Sequence, residues 1–523
     1  MSSPPTRLAT SQILAVLVGV GVLLRLAIFF AAEHSLEVSE AIVGLMALDI
    51  LAGQALPFFF YGTTYNGGGA LEAYLAAGSF ALFGASAAGL KLWILALWAL
   101  AAGLFANLCG RTLTRGAAIL AIAFFSLATP FFLEWSLKAR GGFIETVLFS
   151  VLLLWLAAPP PALRARRDLQ CAAFGLAVGV GLWSSEMLLA MIPCAGAWLW
   201  IGLERRERGR ALLVLGTATL VSLIPLLVYN LGHEWQHARG SVLFRVLQPG
   251  DGEPLSLEQL RISAAFVLGR AWPLLTLLFV IGGVRLLERR DGWPLGLVAL
   301  VHTLLYLTAY WLSGERYLSV PPSRVLFSLY PSLALLFASA LDPPRRSGFA
   351  LRGLVATGIA TCALAVCGSI HAWVGAGGPR EAGSWRGTWA LTDGEGLHRQ
   401  LLSLGVAQVY TSRWTVPPLV FAQRSAQAGD ANAPRLRITS LIPPLAPADR
   451  ASTAIVLLRE GPLAAYLALA LEHHGVAARR VEWNAFSIFY GMRASQIHQG
   501  IDLPAVLAQT DWPPEPSPPD GFN

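Results

Sequence analysis

Ser11–Ala32 reads SQILAVLVGVGVLLRLAIFFAA, and the fold class turns on whether this run is kept or cleaved. About 20 predominantly apolar residues cross a bilayer core of roughly 30 Å, so the run is long enough to span. It is too long for a secretory signal, and it ends in Phe30-Ala31-Ala32 without a small-x-small cleavage pattern. It reads as a retained first helix. Comparable apolar runs follow one after another as far as Ile370.

Composition agrees with that reading. Hydrophobic residues make up 55% of the 523 residues and charged residues only 13%, which describes a chain whose main solvent is hydrocarbon and excludes an ordinary soluble protein. From His371 onward Gly, Pro, Asp, Gln and Arg return at soluble frequencies. The expected organisation is a membrane domain over 1–370 with an outer-face loop at 33–89, an α/β domain over 371–511, and a disordered Pro-rich tail over 512–523.

The formal charge of +7 comes from short basic clusters between apolar runs, so topology explains it and no nucleic-acid partner is implied. The clusters fall at Arg7, at Arg111 and Arg115, at Arg164 to Arg167, at Arg205 to Arg210, at Arg285 to Arg290, and at Arg345 and Arg346. Two apolar runs separate each neighbouring pair, so all of them fit on the cytoplasmic side. About eleven spans follow, starting near Ser11, Leu90, Gly116, Phe143, Gln170, Met187, Ala211, Trp272, Pro294, Arg324 and Phe349. An odd number places the N-terminus inside and the C-terminal domain outside. The five cysteines lie in or beside apolar runs, and no structural disulfide is expected.

Long or polar segments remain on the outer face: Glu33–Gly89, Asn230–Arg270 and Gly314–Ser323. Within the first, Ser39–Leu51 and Ala70–Phe83 read as amphipathic helices lying at the membrane surface, with Tyr65–Gly69 as a turn between them. Acidic candidates at this level are Glu37, Glu40, Asp49, Glu72, Glu134, Glu145 and Glu186; basic candidates are Lys91, Lys138, Arg140, Arg316 and Arg324. An Arg fork suits phosphate and a carboxylate takes a proton from an attacking hydroxyl. A sugar leaving a phosphate needs both.

Several stretches carry a resemblance. Glu40–Ala47 (EAIVGLMA), Pro57–Gly62 (PFFFYG), Tyr65, Leu71–Leu75 (LEAYL) and Ser136–Glu145 (SLKARGGFIE) resemble the outer segments of bacterial protein O-mannosyltransferase-like membrane glycosyltransferases (glycosyltransferase family 39-like). Pro225 with Asn230 fits a later helix end. Ser323–Pro331 (SRVLFSLYP) is similar to their Arg-Tyr-Leu-x-Pro-Leu-Tyr-Pro element, with Arg316-Tyr317-Leu318 as a competing match. The resemblance implies a polytopic α-helical membrane protein of the glycosyltransferase C type with a C-terminal soluble α/β domain, in a bacterial inner membrane. It implies an inverting enzyme that takes a polyprenyl-phosphate-linked sugar to a lipid, glycan or protein acceptor on the outer face.

In that family the base is an Asp of an Asp-Glu pair; here the pair is Ser39-Glu40. Glu40 is then the catalytic candidate, with nearby Glu37 as the alternative base. Lys91, Lys138, Arg140, Arg316 and Arg324 bind donor phosphate or substrate, and Ser39, Tyr61, Tyr65, Glu72 and Glu145 support them. No motif fixes a cofactor, and a divalent metal stays open. A lipid-linked-sugar transporter and a noncatalytic binding homologue are the alternative readings.

His233-Glu234-Trp235-Gln236-His237 contains H-E-x-x-H literally, the zinc-protease spacing, but no nearby third ligand follows and the motif is short. In the C-terminal domain, Val406–Ser412, Ala454–Leu458 and Phe486–Gly491 read as strands, Glu395–Leu404 and Pro462–His474 as helices.

Overall fold

The computed structural model describes residues 5–31, 36–61, 63, 66–164, 166–235, 254–288, 294–312, 322–342, 367–368, 370–371, 393–411, 415–431, 433–440, 452–458, 462–484 and 486–493. The helices of the first half are α1 (Pro5–Ala31), α2 (Val38–Leu51), α3 (Gly67–Phe83), α4 (Ala87–Thr112), α5 (Arg115–Leu127), α6 (Pro130–Trp135), α7 (Phe143–Ala157), the short α8 (Pro161–Arg164), α9 (Arg167–Ser184), α10 (Met191–Ile201) and α11 (Arg208–Gly232). Then come α12 (Leu257–Leu268), α13 (Trp272–Glu288), α14 (Pro294–Leu312) and α15 (Tyr330–Leu341). The remainder alternates: α16 (Gly394–Ser403), β1 (Gln408–Thr411), α17 (Val416–Gly429), β2 (Arg437–Ser440), β3 (Ser452–Leu458), α18 (Pro462–His473), β4 (Arg479–Trp483) and β5 (Phe486–Arg493).

Among the described residues four helices, α1, α4, α11 and α14, are long and apolar enough to cross a membrane, and Leu257–Leu268 with Trp272–Leu287 makes a fifth if the bent pair is one span. The chain is a multi-pass membrane protein. Ten of the eleven expected runs coincide with described helices; the run from Phe349 lies outside the described residues. Several are shorter than a full span. The run from Gly116 stops at Leu127 because Thr129-Pro130 starts a new helix, proline having no N–H to continue the old one. The 13 residues of α5 cover only about 20 Å.

The described residues form two compact units, one made of 1–27, 58–71 and 94–375, the other of 28–57, 72–93 and 376–523. In the first, α15 is buried from end to end and packs on α5, α13 and α14. Small residues permit the closest approaches, as between membrane helices generally. Gly282 lies against the Leu336 carbonyl and accepts a 3.1 Å bond from Ser339. Gly175 and Gly179 of α9 lie against Leu215, Ala218, Thr219 and Ser222 of α11.

In the second unit the strands form one sheet in the order β2-β1-β3-β5-β4. Strand β1 is parallel to β2 and β3, while β5 runs antiparallel to β3 and β4. Alternate residues of a strand face opposite sides, and the sequence uses both. Val409, Val456 and Ile488 join Leu397, Leu401 and Leu419 in one core. Tyr410, Ile455 and Phe489 join Leu467 and Leu471 in the other. The three expected strands and two expected helices of this domain are present; α17, β2 and β4 were not anticipated.

The expected amphipathic character of the first of the two first-loop helices is corrected. Helices form at both places, yet α2 buries Glu40, Ala41 and every residue from Val43 to Leu48, because α17 covers it. The Phe421 ring lies over Gly44, where a Cβ would come within 2.6 Å of the ring, and Arg424 pairs with Asp49 at 2.7 Å. Gly44→Ala is expected to destabilise by about 1–3 kcal/mol through overpacking. In a Phe421→Leu background the same change should turn neutral or favourable by up to about 1 kcal/mol, since alanine is the better helix former. Thermal unfolding of the four proteins checks the reversal.

His398, on α16, is buried, and among the described residues its Nε2 has no hydrogen-bond partner. Burial lowers its pKa, so the unfolded chain takes up the proton first. Its contribution is complete above the unfolded value of about 6.5 and is lost as pH falls from there through the folded value. Amide protection in β1 and β3, measured relative to the intrinsic exchange rate at each pH, should fall between pH 7 and pH 5, and His398→Gln should flatten that dependence.

Candidate functional site

Within the second unit, Ser39 and Glu40 stand in the first turn of α2, where the helix dipole favours a negative charge. Glu37 and Glu40 close a capping box, in which Glu40 Oε2 accepts from the Glu37 backbone N–H at 3.0 Å. The other oxygen, Oε1, lies 3.2 Å from Lys91 Nζ. Glu40 is fully buried and Lys91 nearly so. Lys91 comes from the first turns of α4, so the structure brings it to Glu40. Glu37 and Glu72 are also buried, which puts three carboxylates and one ammonium of this unit out of solvent. Ser39 is half-buried. Two ions taken out of water cost several kcal/mol each unless their geometry repays it, and a group this expensive in a membrane protein points to function.

The first unit carries the other candidates. Lys138 pairs with Glu134 at 2.6 Å. Lys138 and Arg140 both approach the Trp135 ring, at 4.9 Å and 5.2 Å from its centre, a cation–π arrangement that holds two positive side chains around one ring. The Arg140 carbonyl accepts from the Asn66 side chain at 3.3 Å. Next to it Gly141 and Gly142 adopt φ of +69° and +80°. A Cβ on Gly141 would lie 2.2 Å from the Gly69 nitrogen, and one on Gly68 would lie 2.2 Å from the Gly142 nitrogen. Two glycine runs that look like separate flexible turns in the sequence are therefore one backbone crossing. Glu145 is buried in the first turn of α7, and Thr146 donates to the Gly142 carbonyl. Tyr61 is half-buried just after Phe58, whose carbonyl accepts from Trp183 Nε1 at 3.1 Å.

Arg316 and Tyr65 lie outside the described residues. Arg324 falls in the 3₁₀ segment Pro322–Leu329, and its side chain is outside them too.

Sequence reasoning missed Arg25. It is fully buried in α1, bonded to Ser136, Gly21, Ser126 and Tyr330, with its guanidinium 3.6 Å from the Trp98 ring centre. The signal was a single arginine inside the first apolar run.

Among the described residues no three His, Cys, Asp or Glu side chains group as a metal site. Helix α11 ends at Gly232, and Glu234 and Trp235 take φ of +51° and +60°. His233 instead stacks on Tyr229. The helical turn that an H-E-x-x-H zinc site requires does not begin at His233; His237 lies outside the described residues.

No family model and no curated protein matches the sequence. Among solved structures, the chain is similar to ArnT from Cupriavidus metallidurans bound to undecaprenyl phosphate, with a TM-score of 0.57 and 14% identity over 92% of this chain and 98% of that one. The same protein in the apo state matches with a TM-score of 0.57 and 14% identity, over 90% and 97% of the two chains. The archaeal oligosaccharyltransferase AglB from Archaeoglobus fulgidus, in complex with an inhibitory peptide and a dolichol-phosphate, aligns with a TM-score of 0.49 and 13% identity over 96% and 77%. At 14% identity the likeness to ArnT shows the fold alone, and that fold is the expected glycosyltransferase C type, a mostly helical membrane part with a small C-terminal sheet.

Proposed function

We propose that this protein is a membrane glycosyltransferase that moves a sugar from a polyprenyl-phosphate donor to an acceptor on the outer face of the cytoplasmic membrane, with inversion at the anomeric carbon. The observation that carries the reading is the fold shared with ArnT along nearly the whole of both chains, in a structure that holds undecaprenyl phosphate.

Glu40 is assigned as the base. The acceptor hydroxyl attacks the anomeric carbon, its proton passes to Glu40, and the bond to the phosphate oxygen breaks to release polyprenyl phosphate. Lys91, Lys138, Arg140, Arg316 and Arg324 are the cations assigned to that phosphate, with Ser39, Tyr61, Tyr65, Glu72 and Glu145 as supporting groups. The Glu40–Lys91 pair suggests how donor and base are linked: a phosphate offers Lys91 a second anion and frees Glu40 Oε1 for the proton. The N-terminus is assigned to the cytoplasm and the C-terminal domain to the periplasm, following the basic clusters.

One observation favours a second reading, a noncatalytic donor binder. Both Glu40 oxygens are engaged, one by the capping box and one by Lys91, and by the resemblance to the family 39-like enzymes Ser39 takes the place of their Asp.

Purified protein incubated with polyprenyl-phosphate sugars separates the readings. The wild type should consume donor, and Glu40→Gln, recovered folded, should lose about 10²–10⁴-fold in rate, the ordinary worth of a general base. Equal consumption by both would remove Glu40 from catalysis. Donor bound but unconsumed by the wild type, and consumed by Ser39→Asp, would establish the binder. Donor carried intact across vesicles would establish a transporter.

A further inference from the structure

A cavity of about 380 Å³ lies in the second unit, large enough for a small ligand. Its position relative to the membrane can be read from its lining. Phe30 ends the span of α1 and Ala87 begins α4, so the cavity sits at the level where two spanning helices leave the hydrocarbon. Leu36 and Phe421 continue the apolar wall.

The polar part of the lining belongs to the start of α16: Asp393, Glu395 and Arg399. Asp393 accepts from the Gly396 N–H at 2.8 Å and so caps the helix. Glu395 and Arg399 are exposed and are paired with no other described residue. Four residues apart on a helix, they stand about 6 Å from one another on one face. An apolar surface at the bilayer edge, facing a carboxylate and a guanidinium one helical turn apart, suits an amphiphile that carries both charges.

We propose that this cavity takes the headgroup of a phospholipid with a primary amine, a phosphoethanolamine lipid. Arg399 receives the phosphate, for which its fork is suited. Glu395, with Asp393 beside it, receives the ammonium, and the glycerol and first methylenes lie on Phe30, Leu36 and Phe421. The two-carbon bridge of ethanolamine matches the one-turn spacing. A phosphocholine has no N–H to donate, and an anionic phosphoglycerol brings its net charge toward two carboxylates. The site is independent of glycosyl transfer, and binding alone tests it.

The full chain, purified in detergent and stripped of lipid, is titrated with dimyristoyl phosphoethanolamine, phosphocholine and phosphoglycerol lipids, and retention is read by native mass spectrometry. The wild type should hold one phosphoethanolamine lipid about tenfold more tightly than either other, the equivalent of about 1.4 kcal/mol. Glu395→Gln should erase that preference while leaving phosphocholine retention unchanged. Arg399→Gln should weaken all three. Both side chains are exposed, so neither change threatens folding. Equal retention of the three lipids, a preference for phosphoglycerol, or a phosphoethanolamine preference untouched by Glu395→Gln would each overturn the proposal. Free O-phosphoethanolamine should compete only at large excess; competition at equal concentration would overturn the assignment to a lipid.

Discussion

Lys91→Met is expected to cost about 3–5 kcal/mol of stability, because it leaves the buried Glu40 carboxylate without its ammonium. The Glu37 backbone N–H that bonds the other oxygen of Glu40 supplies no net charge to replace the ammonium. Removing the second charge as well should recover most of the loss. In Glu40→Gln/Lys91→Met the amide oxygen still closes the capping box, which accepts Gln as readily as Glu, and neither chain end carries a charge to desolvate. The expected order is therefore wild type, then the double variant, then Lys91→Met, by thermal loss of monodisperse protein. A double variant no better than Lys91→Met would mean that Lys91 contributes by packing, and the ion pair would lose its place at the candidate site.

This expectation also marks where the sequence stopped being readable. Glu40 and Lys91 were each legible as candidates, since each is a charge near the end of an apolar run. That they meet was not, because the contact joins α2 to α4 across an intervening helix and a turn. The glycine crossing was hidden for the same reason: Gly68-Gly69 and Gly141-Gly142 each look like a flexible turn until the two backbones are seen against one another. The character of α2 was misread because its apolar surface had no visible cover. The cover, α17, opens on Val416-Pro417-Pro418, a sequence that permits a helix start but shows no strong stripe before Gln423. Strands β2 and β4, reading RITS and RRVEW, are short and charged at the sheet edges, where propensity says little. The central strands, rich in Val, Ile and Phe, were legible because burial on both faces leaves its mark on every position.

Arg25→Lys should be among the most damaging single changes in the membrane region, and more damaging than Arg25→Met. The guanidinium donates through Nε to Ser136 Oγ at 2.7 Å, through Nη1 to the Gly21 and Ser126 carbonyls at 3.2 Å and 2.9 Å, and through Nη2 to Tyr330 Oη at 3.3 Å. Tyr330 is itself fixed, stacked between Phe125 and Phe132 and donating to the Phe125 carbonyl. One planar fork thus ties α1 to three other parts of the first unit and lies over the Trp98 ring, 3.6 Å from its centre. A lysine brings the same charge without the plane. It loses at least two of the four bonds, at about 1.5–3 kcal/mol for each bond to a charged group, and keeps the full cost of burying an ion. Methionine loses all four bonds but removes that cost, which is several kcal/mol. It also leaves the hydroxyls provided for, since Ser136 donates to the Leu133 carbonyl at 2.8 Å and Tyr330 to that of Phe125. A deficit of about 3–6 kcal/mol for Lys, and a smaller one for Met, should appear as lower folded yield and earlier aggregation on heating. If Met proves more harmful than Lys, the site depends on the charge itself, and the place to look is a ligand that approaches Arg25 within the membrane.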